Sequence, residues 1–240
     1  MRRVRDLLRA RIVLGRFDGG VVPSEHRLIR EYGVSRGVIR DVLHLLTAEG
    51  LIERLQGAGT FVVAGERIRH GIDVLQGLPE GIDHGESRVT YQILDLGKMP
   101  APPIVAERLS IEDNADVVFF ERLTMLDGLP LVIRSSWFPF DIGAPLLRPD
   151  ADLHISIYQI IERQLGFLVD SSDQQIEAAS ADLAVSEVLN VAIGAPILLV
   201  ERLVHLVNGR PVEFGFGRAR GDRLAYTDVM RRREHTVSGD

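Results

Sequence analysis

Two stretches of this chain, eighty residues apart, follow one pattern, and that repeat limits the fold more than any other feature. Leu109-x-Ile111, Ala115 and Val117-Val118-Phe119-Phe120-Glu121-Arg122-Leu123 are answered by Leu189-x-Val191, Ala195 and Ile197-Leu198-Leu199-Val200-Glu201-Arg202-Leu203. Upstream, Ala101, Val105 and Glu107 match Ala181, Val185 and Glu187. Downstream, Asp127-Gly128-Leu129-Pro130 is matched by Asn208-Gly209-Arg210-Pro211, with one residue inserted. Each copy reads as helix, long strand, Asx-Gly turn and returning strand, because Asx-Gly tolerates the positive φ that tight hairpins need. Two such units pair their strands into one antiparallel sheet with helices packed against it, an α+β domain with pseudo-twofold symmetry. A helix from Ser156 to Leu165 lies between the copies, with Ile157, Ile160, Ile161 and Leu165 on one face and Gly166 after it.

The segment before the repeat has a different grammar. Residues 21–64 read VVPSEHRLIREYGVSRGVIRDVLHLLTAEGLIERLQGAGTFVVA. Ser24 caps a short helix, Glu25 sits at the positive end of its dipole, and Gly33 stops it. Ser35 caps the next helix, whose Ile39, Val42, Leu43 and Leu46 form one buried stripe. Arg36, Arg40 and His44 lie four apart on another side. Leu51–Leu55 and Thr60–Val63 then read as strands around Gln56-Gly57-Ala58-Gly59. With the amphipathic helix that begins at Arg2, the expectation is three helices and a β-wing, a winged helix-turn-helix. In that arrangement the first turn of the second motif helix reaches base edges and the next turn meets phosphate.

Charge is distributed to match. The chain carries −6 overall, yet residues 1–64 hold eleven arginines against seven carboxylates. That is +4, so the remainder carries −10: a basic head on an acidic body confines phosphate attraction to one surface. Zero cysteines exclude disulfides and thiolate metal sites and fit a cytoplasmic protein. No run of eighteen apolar residues is present and the start lacks an apolar signal core, so no membrane association is expected.

At this point the pattern PSE…Y-G-V-S-R-x-x-x-R…L…E-G-L-I-x-R-x-Q-G-x-G-T-F-V resembles the DNA-binding domain of GntR-type bacterial transcription regulators, with Val38 where that family often has Thr or Pro. The resemblance continues: E-R-L-x-x-x-D-G-x-P, S-I-Y…L-G, then E-R-L…N-G-x-P-V-E-F and R-G-D-R are similar to the UTRA ligand-binding domain of the HutC branch, whose fold is chorismate-lyase-like. The implied organisation is a winged helix-turn-helix at 1–65, a linker at 66–85, an effector-binding and dimerisation domain at 86–232, and a tail at 233–240. The resemblance implies a homodimer on an inverted-repeat double-stranded DNA operator, modulated by a small acidic metabolite, with no cofactor.

The candidate DNA-facing residues are Ser24, Glu25, Ser35, Arg36, Arg40, Arg54, Gln56, Gly57, Gly59 and Thr60. Carried over from the family pattern, the effector candidates are Arg122, aimed at an acidic group; Ser156, opening the central helix; Glu213, accepting from effector hydroxyls; and Arg220 in the RGDR segment. Arg134 joins them, since it stands where sugar-phosphate-binding members often have Glu. Ala219 likewise replaces a frequent aromatic. An acid-to-arginine change favours a more acidic or differently shaped ligand, so an amino-sugar phosphate is not transferred to this chain. Two other classes compete: an enzyme with a chorismate-lyase-like domain, and an effector-blind DNA-binding protein. Against the enzyme, there is no G-x-S-x-G, no H-E-x-x-H and no metal-ligand spacing among the seven histidines.

Overall fold

The computed structural model describes residues 1–63, 68–72, 76–77 and 88–230. The chain divides into two compact units, Met1–Ile68 and Arg69–Asp240.

The first unit holds helices α1 (Arg2–Val13), α2 (Glu25–Tyr32) and α3 (Arg36–Ala48) and strands β1 (Val21–Val22), β2 (Ile52–Leu55) and β3 (Gly59–Val62), which pair in the order β1-β3-β2. Both expected caps form: the Ser24 hydroxyl accepts from Arg27 N–H and the Ser35 hydroxyl from Val38 N–H, each at 3.4 Å. Between them Gly33 ends α2 in the left-handed region (φ 61°), which turns the chain within three residues. The stripe Ile39, Val42, Leu43 and Leu46 is buried against Val4, Leu8 and Ile12 of α1 and Leu28 of α2. At about 1.5–3 kcal/mol per buried aliphatic side chain, this stripe is the main force fixing α3.

The second unit is built on one six-stranded antiparallel sheet, ordered β5-β6-β7-β10-β9-β8. In chain order it comprises β5 (Val89–Pro100), helix α4 (Pro103–Leu109), β6 (Asp116–Leu126), β7 (Leu129–Pro139), α5 (Phe140–Gly143), α6 (Ile157–Gln159), β8 (Val169–Ser180), α7 (Leu183–Leu189), β9 (Pro196–Leu206) and β10 (Pro211–Arg220). The halves meet at β7–β10, with Phe214 opposite Trp137 and Ala219 opposite Val132. The eighty-residue repeat is visible in backbone detail. Ser110 and Asn190 both adopt left-handed C-caps (φ 54° and 52°), and Ala101 N–H donates to Ala115 O at 2.8 Å as Ala181 N–H does to Ala195 O at 2.9 Å.

Each repeat also contains a strand before its helix, β5 and β8, which the sequence reading omitted. These are the sheet edges. β8, VDSSDQQIEAAS, is exposed along most of its length, so it lacks the apolar alternation that marks a half-buried strand. The helix expected over 156–165 is α6 continued by a π-helical turn, Ile160–Gln164, with Ile157, Ile160 and Ile161 buried.

One further correction concerns the expected linker at 66–85. Ile68–Gly71 forms a strand, β4, paired with β11 (Leu224–Thr227), and Ile72 N–H donates to Thr227 O at 2.9 Å. Four residues are too few to show a period; the distant partner makes this strand. Most of the remaining linker and the tail at 233–240 lie outside the described residues. Among the described residues no helix is long and apolar enough to cross a membrane.

Gly215, in β10 at the junction of the halves, has no room for a side chain. A Cβ there would lie 2.5 Å from Ser135 O and 2.9 Å from the Glu213 carboxylate. Gly97, in edge strand β5, has nothing within 4 Å. We expect Gly215→Ala to destabilise the second unit by about 1–3 kcal/mol and Gly97→Ala to leave it unchanged, both read from thermal unfolding of the full chain.

Candidate functional site

In the first unit, the N-terminus of α3 and the wing are tied together by one carboxylate. Glu25 Oε2 lies 3.6 Å from Arg36 Nε, and its Oε1 accepts from Arg54 Nη2 at 2.8 Å. Arg36 is 77% exposed, so the pair holds a long cation in place at little cost to release, about 0.2–1 kcal/mol for pairs of this kind. Glu25 and Arg54 line a shallow hollow with Gln56, Gly57, Gly59 and Thr60. The wing tip turns through Gly57 and Gly59, both at positive φ (80° and 126°). Arg40 and His44 continue the exposed side of α3, one and two turns beyond Arg36. Arg36 and the nominated wing residues are thus linked through Glu25, with Ser24 and Ser35 serving as the two helix caps.

The second unit contains a cleft over the sheet, with about 490 Å³ of space outside the protein atoms, part of it open to solvent. Arg122, Arg134 and Arg202 line it, with Tyr91, Tyr158 and Tyr226, Ser156, and His70 and Gln76 from the segment after β3. Arg122 is buried; its guanidinium lies 4.3 Å from the Tyr91 ring centre, and its Nη1 donates to the carbonyls of Leu153 (3.3 Å) and Ile155 (2.5 Å). Burial, partly offset by Tyr91 and reinforced by the neighbouring arginines, pushes its pKa down to about 10. Burial and Arg202 also lower that of Arg134. Arg202 is different. Burial opposes its charge, but Glu213 and Tyr158 together outweigh burial and hold the guanidinium above its ordinary value.

Two nominated residues do not reach the cleft. Glu213 is fully buried and its oxygens are taken: Arg202 Nε and Nη2 donate to them at 2.9 and 2.7 Å, and Ser136 Oγ adds a 2.6 Å bond. Its place is beside Arg202, as counter-charge: Gly215 stands opposite Arg202 and Glu213, two residues before it, shares that face of the sheet. Arg220 is engaged by Asp222 (3.0 and 2.7 Å) and by the carbonyl of Leu189 (3.3 Å), closing the end of β10. Ser156 lines the cleft and caps α6, accepting from Gln159 N–H at 3.2 Å.

Arg202 is the residue that the sequence reading missed with a signal in hand, since it is the eighty-residue mate of Arg122 in the repeated Glu-Arg-Leu. The tyrosines carried no such signal. They come from an edge strand, a helix and β11, which only the tertiary fold assembles.

The two halves treat their matched arginines differently. Arg122 stands in register with Arg134 across β6–β7, whereas Arg202 stands in register with Gly215 across β9–β10. The bare backbone at Gly215 leaves space for the Glu213 carboxylate. One half neutralises its arginine, and the other doubles the charge.

Glu213→Ala should therefore cost about 3–5 kcal/mol, because it strands a buried guanidinium. Burial acts to raise the Glu213 pKa, but Arg202 holds it below the ordinary carboxylate range. Its contribution is thus present above an unfolded carboxylate pKa of about 4.3 and is lost as pH falls through the lower folded value. Acid unfolding curves of wild type and Glu213→Ala should converge at low pH and separate above it.

Comparison with known proteins bears on both units. The profile of the bacterial regulatory proteins of the gntR family matches residues 1–62, and that of the UTRA domain matches residues 85–225. The HTH-type transcriptional repressor NagR of Bacillus subtilis is 29% identical over 216 residues, covering 88% of this chain and 86% of that protein. The mannosyl-D-glycerate transport/metabolism system repressor MngR of Escherichia coli K12 is 27% identical over 236 residues, covering 97% and 96%. Among solved structures, PhnF from Mycobacterium smegmatis matches with a TM-score of 0.68 at 24% identity, covering 95% of this chain and 99% of that one, a likeness of fold.

Proposed function

This chain belongs to the GntR family of bacterial regulatory proteins and carries a UTRA domain, and from that premise we propose a cytoplasmic repressor whose operator binding is modulated by a small acidic metabolite. The family and its named relatives are transcription regulators rather than enzymes.

The observation that carries the effector reading is the cleft's charge: three arginines line it, and among the described residues no carboxylate does. Buried cations without counter-charge are costly, and an anionic ligand relieves that cost. The same feature disfavours an effector-blind protein, which would gain nothing from keeping such a cleft. On the DNA side, Arg36 projects from the first turn of α3, the position from which this motif reads base edges. A winged helix reads a half-site, so the active form is a homodimer on an inverted repeat. The link between sensing and reading runs through the segment between β3 and β5, since His70 and Gln76 of that segment line the cleft.

Arg36→Ala should weaken binding of DNA selected from a random duplex pool by about 1–3 kcal/mol and broaden the selected sequence. Arg40→Ala should weaken all sequences alike. Gel-shift titrations measure both, and wild-type affinity in Arg36→Ala would remove α3 as the reading helix.

A thermal-shift screen identifies the effector, since a ligand at a hundred times its dissociation constant adds about 2.7 kcal/mol. Arg122→Ala should then keep DNA binding and lose the response to that effector. By reciprocity, an effector that releases DNA must bind more weakly when DNA is present. Release of DNA from Arg122→Ala at the wild-type effector concentration would place the sensing site elsewhere.

A further inference from the structure

The cleft's charge is more specific than a general preference for acids. Arg122, Arg134 and Arg202 line it, and among the described residues the carboxylate that acts on them, Glu213, is bound in a bidentate pair with Arg202. Among the described residues, the three cations and one anion leave an excess of two positive charges at the cleft. That excess sits in the first repeat, where Arg134 stands opposite Arg122. Arg134 is also set in place by the backbone. Its guanidinium lies over Gly217 of β10, where an added Cβ would come within 3.2 Å of Nη2 and 3.5 Å of Nη1. Nη1 is itself buried and finds no hydrogen-bond partner among the described residues. A buried guanidinium N–H left unmatched is costly, and a ligand oxygen that accepts from it would relieve that cost.

We propose that Arg134, seated on Gly217 between the strands of Arg122 and Arg202, makes the cleft a site for a small dianion and is the residue that selects the second negative charge. The inference rests on the effector reading of this cleft and narrows it from acids in general to ligands that carry two negative charges into the site. Both a phosphate monoester and a dicarboxylate have that chemistry. Arg122 and Arg134 supply planar forks suited to either group. Arg202, fixed by Glu213, contributes long-range attraction and a wall, since its strongest bonds are already made.

The test uses the full-length protein and matched pairs of probes. Methyl phosphate and dimethyl phosphate differ by one charge on similar frames, as do succinate and succinamate. Calorimetric titration at fixed ionic strength and mildly alkaline pH should show one dianion binding roughly tenfold or more tightly than its monoanionic partner. Which pair shows the difference separates the phosphate source from the dicarboxylate source.

Arg134→Met should erase that difference and melt no lower than wild type without ligand, because it removes one of three like charges crowded at the site. Gly217→Ala, which displaces only the flexible end of Arg134, should fold as wild type and lose most of the preference. A wild-type protein that binds neither dianion at millimolar concentration, or binds each pair equally, overturns the proposal, as does a preference that survives in Arg134→Met. Binding of pool-selected DNA, measured on the same preparations, keeps the two readings apart. A protein that grips DNA and ignores every probe loses the dianion site but remains a regulator.

Discussion

The pairing of β7 with β10 is the constraint on which the second unit depends. It joins two equivalent halves into one sheet, through contacts running from Phe214 opposite Trp137 to Ala219 opposite Val132. Without that seam each half would be a three-stranded sheet with an open edge and half of a core. The seam also decides the chemistry above it. Gly215 and Gly217 both lie on β10 there: the first makes room for Ser135 O and the Glu213 carboxylate, and the second for the guanidinium of Arg134. Glycine is an expensive choice inside a strand, since it weakens the strand and packs nothing. Two of them one residue apart mark a place where side chains from neighbouring strands must cross the backbone.

Electrostatics explains why the halves could not stay alike. Two bare arginines at equivalent positions, joined by Arg134, would put three desolvated cations on one sheet. The fold tolerates this because Glu213 pairs with Arg202 through two hydrogen bonds, with a hydroxyl from Ser136 adding a third to the carboxylate. Carbonyls of Leu153 and Ile155 and the face of Tyr91 support Arg122 by dipole and quadrupole rather than by charge. Arg134 is supported by Tyr226 rather than, among the described residues, by a carboxylate paired with it. The site is therefore charged by design of the first half and stabilised by the second.

Much of this was legible in the sequence, for reasons that differ by element. The caps Ser24 and Ser35, the stop at Gly33 and the α3 stripe are local, and local chemistry decides them. The sheet was legible because duplication wrote its plan twice. The edge strands β5 and β8 were not, since exposed edges carry no buried alternation, and β4 was not, because its partner lies more than 150 residues away. At the site, the sequence placed Arg122, Arg134 and Ser156 on the cleft but gave Glu213 to the ligand instead of to Arg202. Strand parity says which face a residue takes. It does not say which of two arginines will claim a buried carboxylate.

The position of β4 puts a strand near the N-terminal end of the second unit beside the cleft. His70 lies on β4, its ring packs edge-on against Tyr226 of β11 at 5.7 Å, and both residues line the cleft. Tyr226 in turn lies against Arg134, whose charge opposes the rise that burial gives the phenol's pKa. A ligand that neutralises Arg134 therefore acts within one or two contacts of the strand that leads back toward the first unit. A coupling of about 1–3 kcal/mol is enough for a typical allosteric response. That is the scale of one hydrogen bond to a charged group gained or lost. On the proposed effector reading, sensing would ask only that the ligand's charge alter one guanidinium's partners, provided the strand packed beside it has two arrangements to choose between.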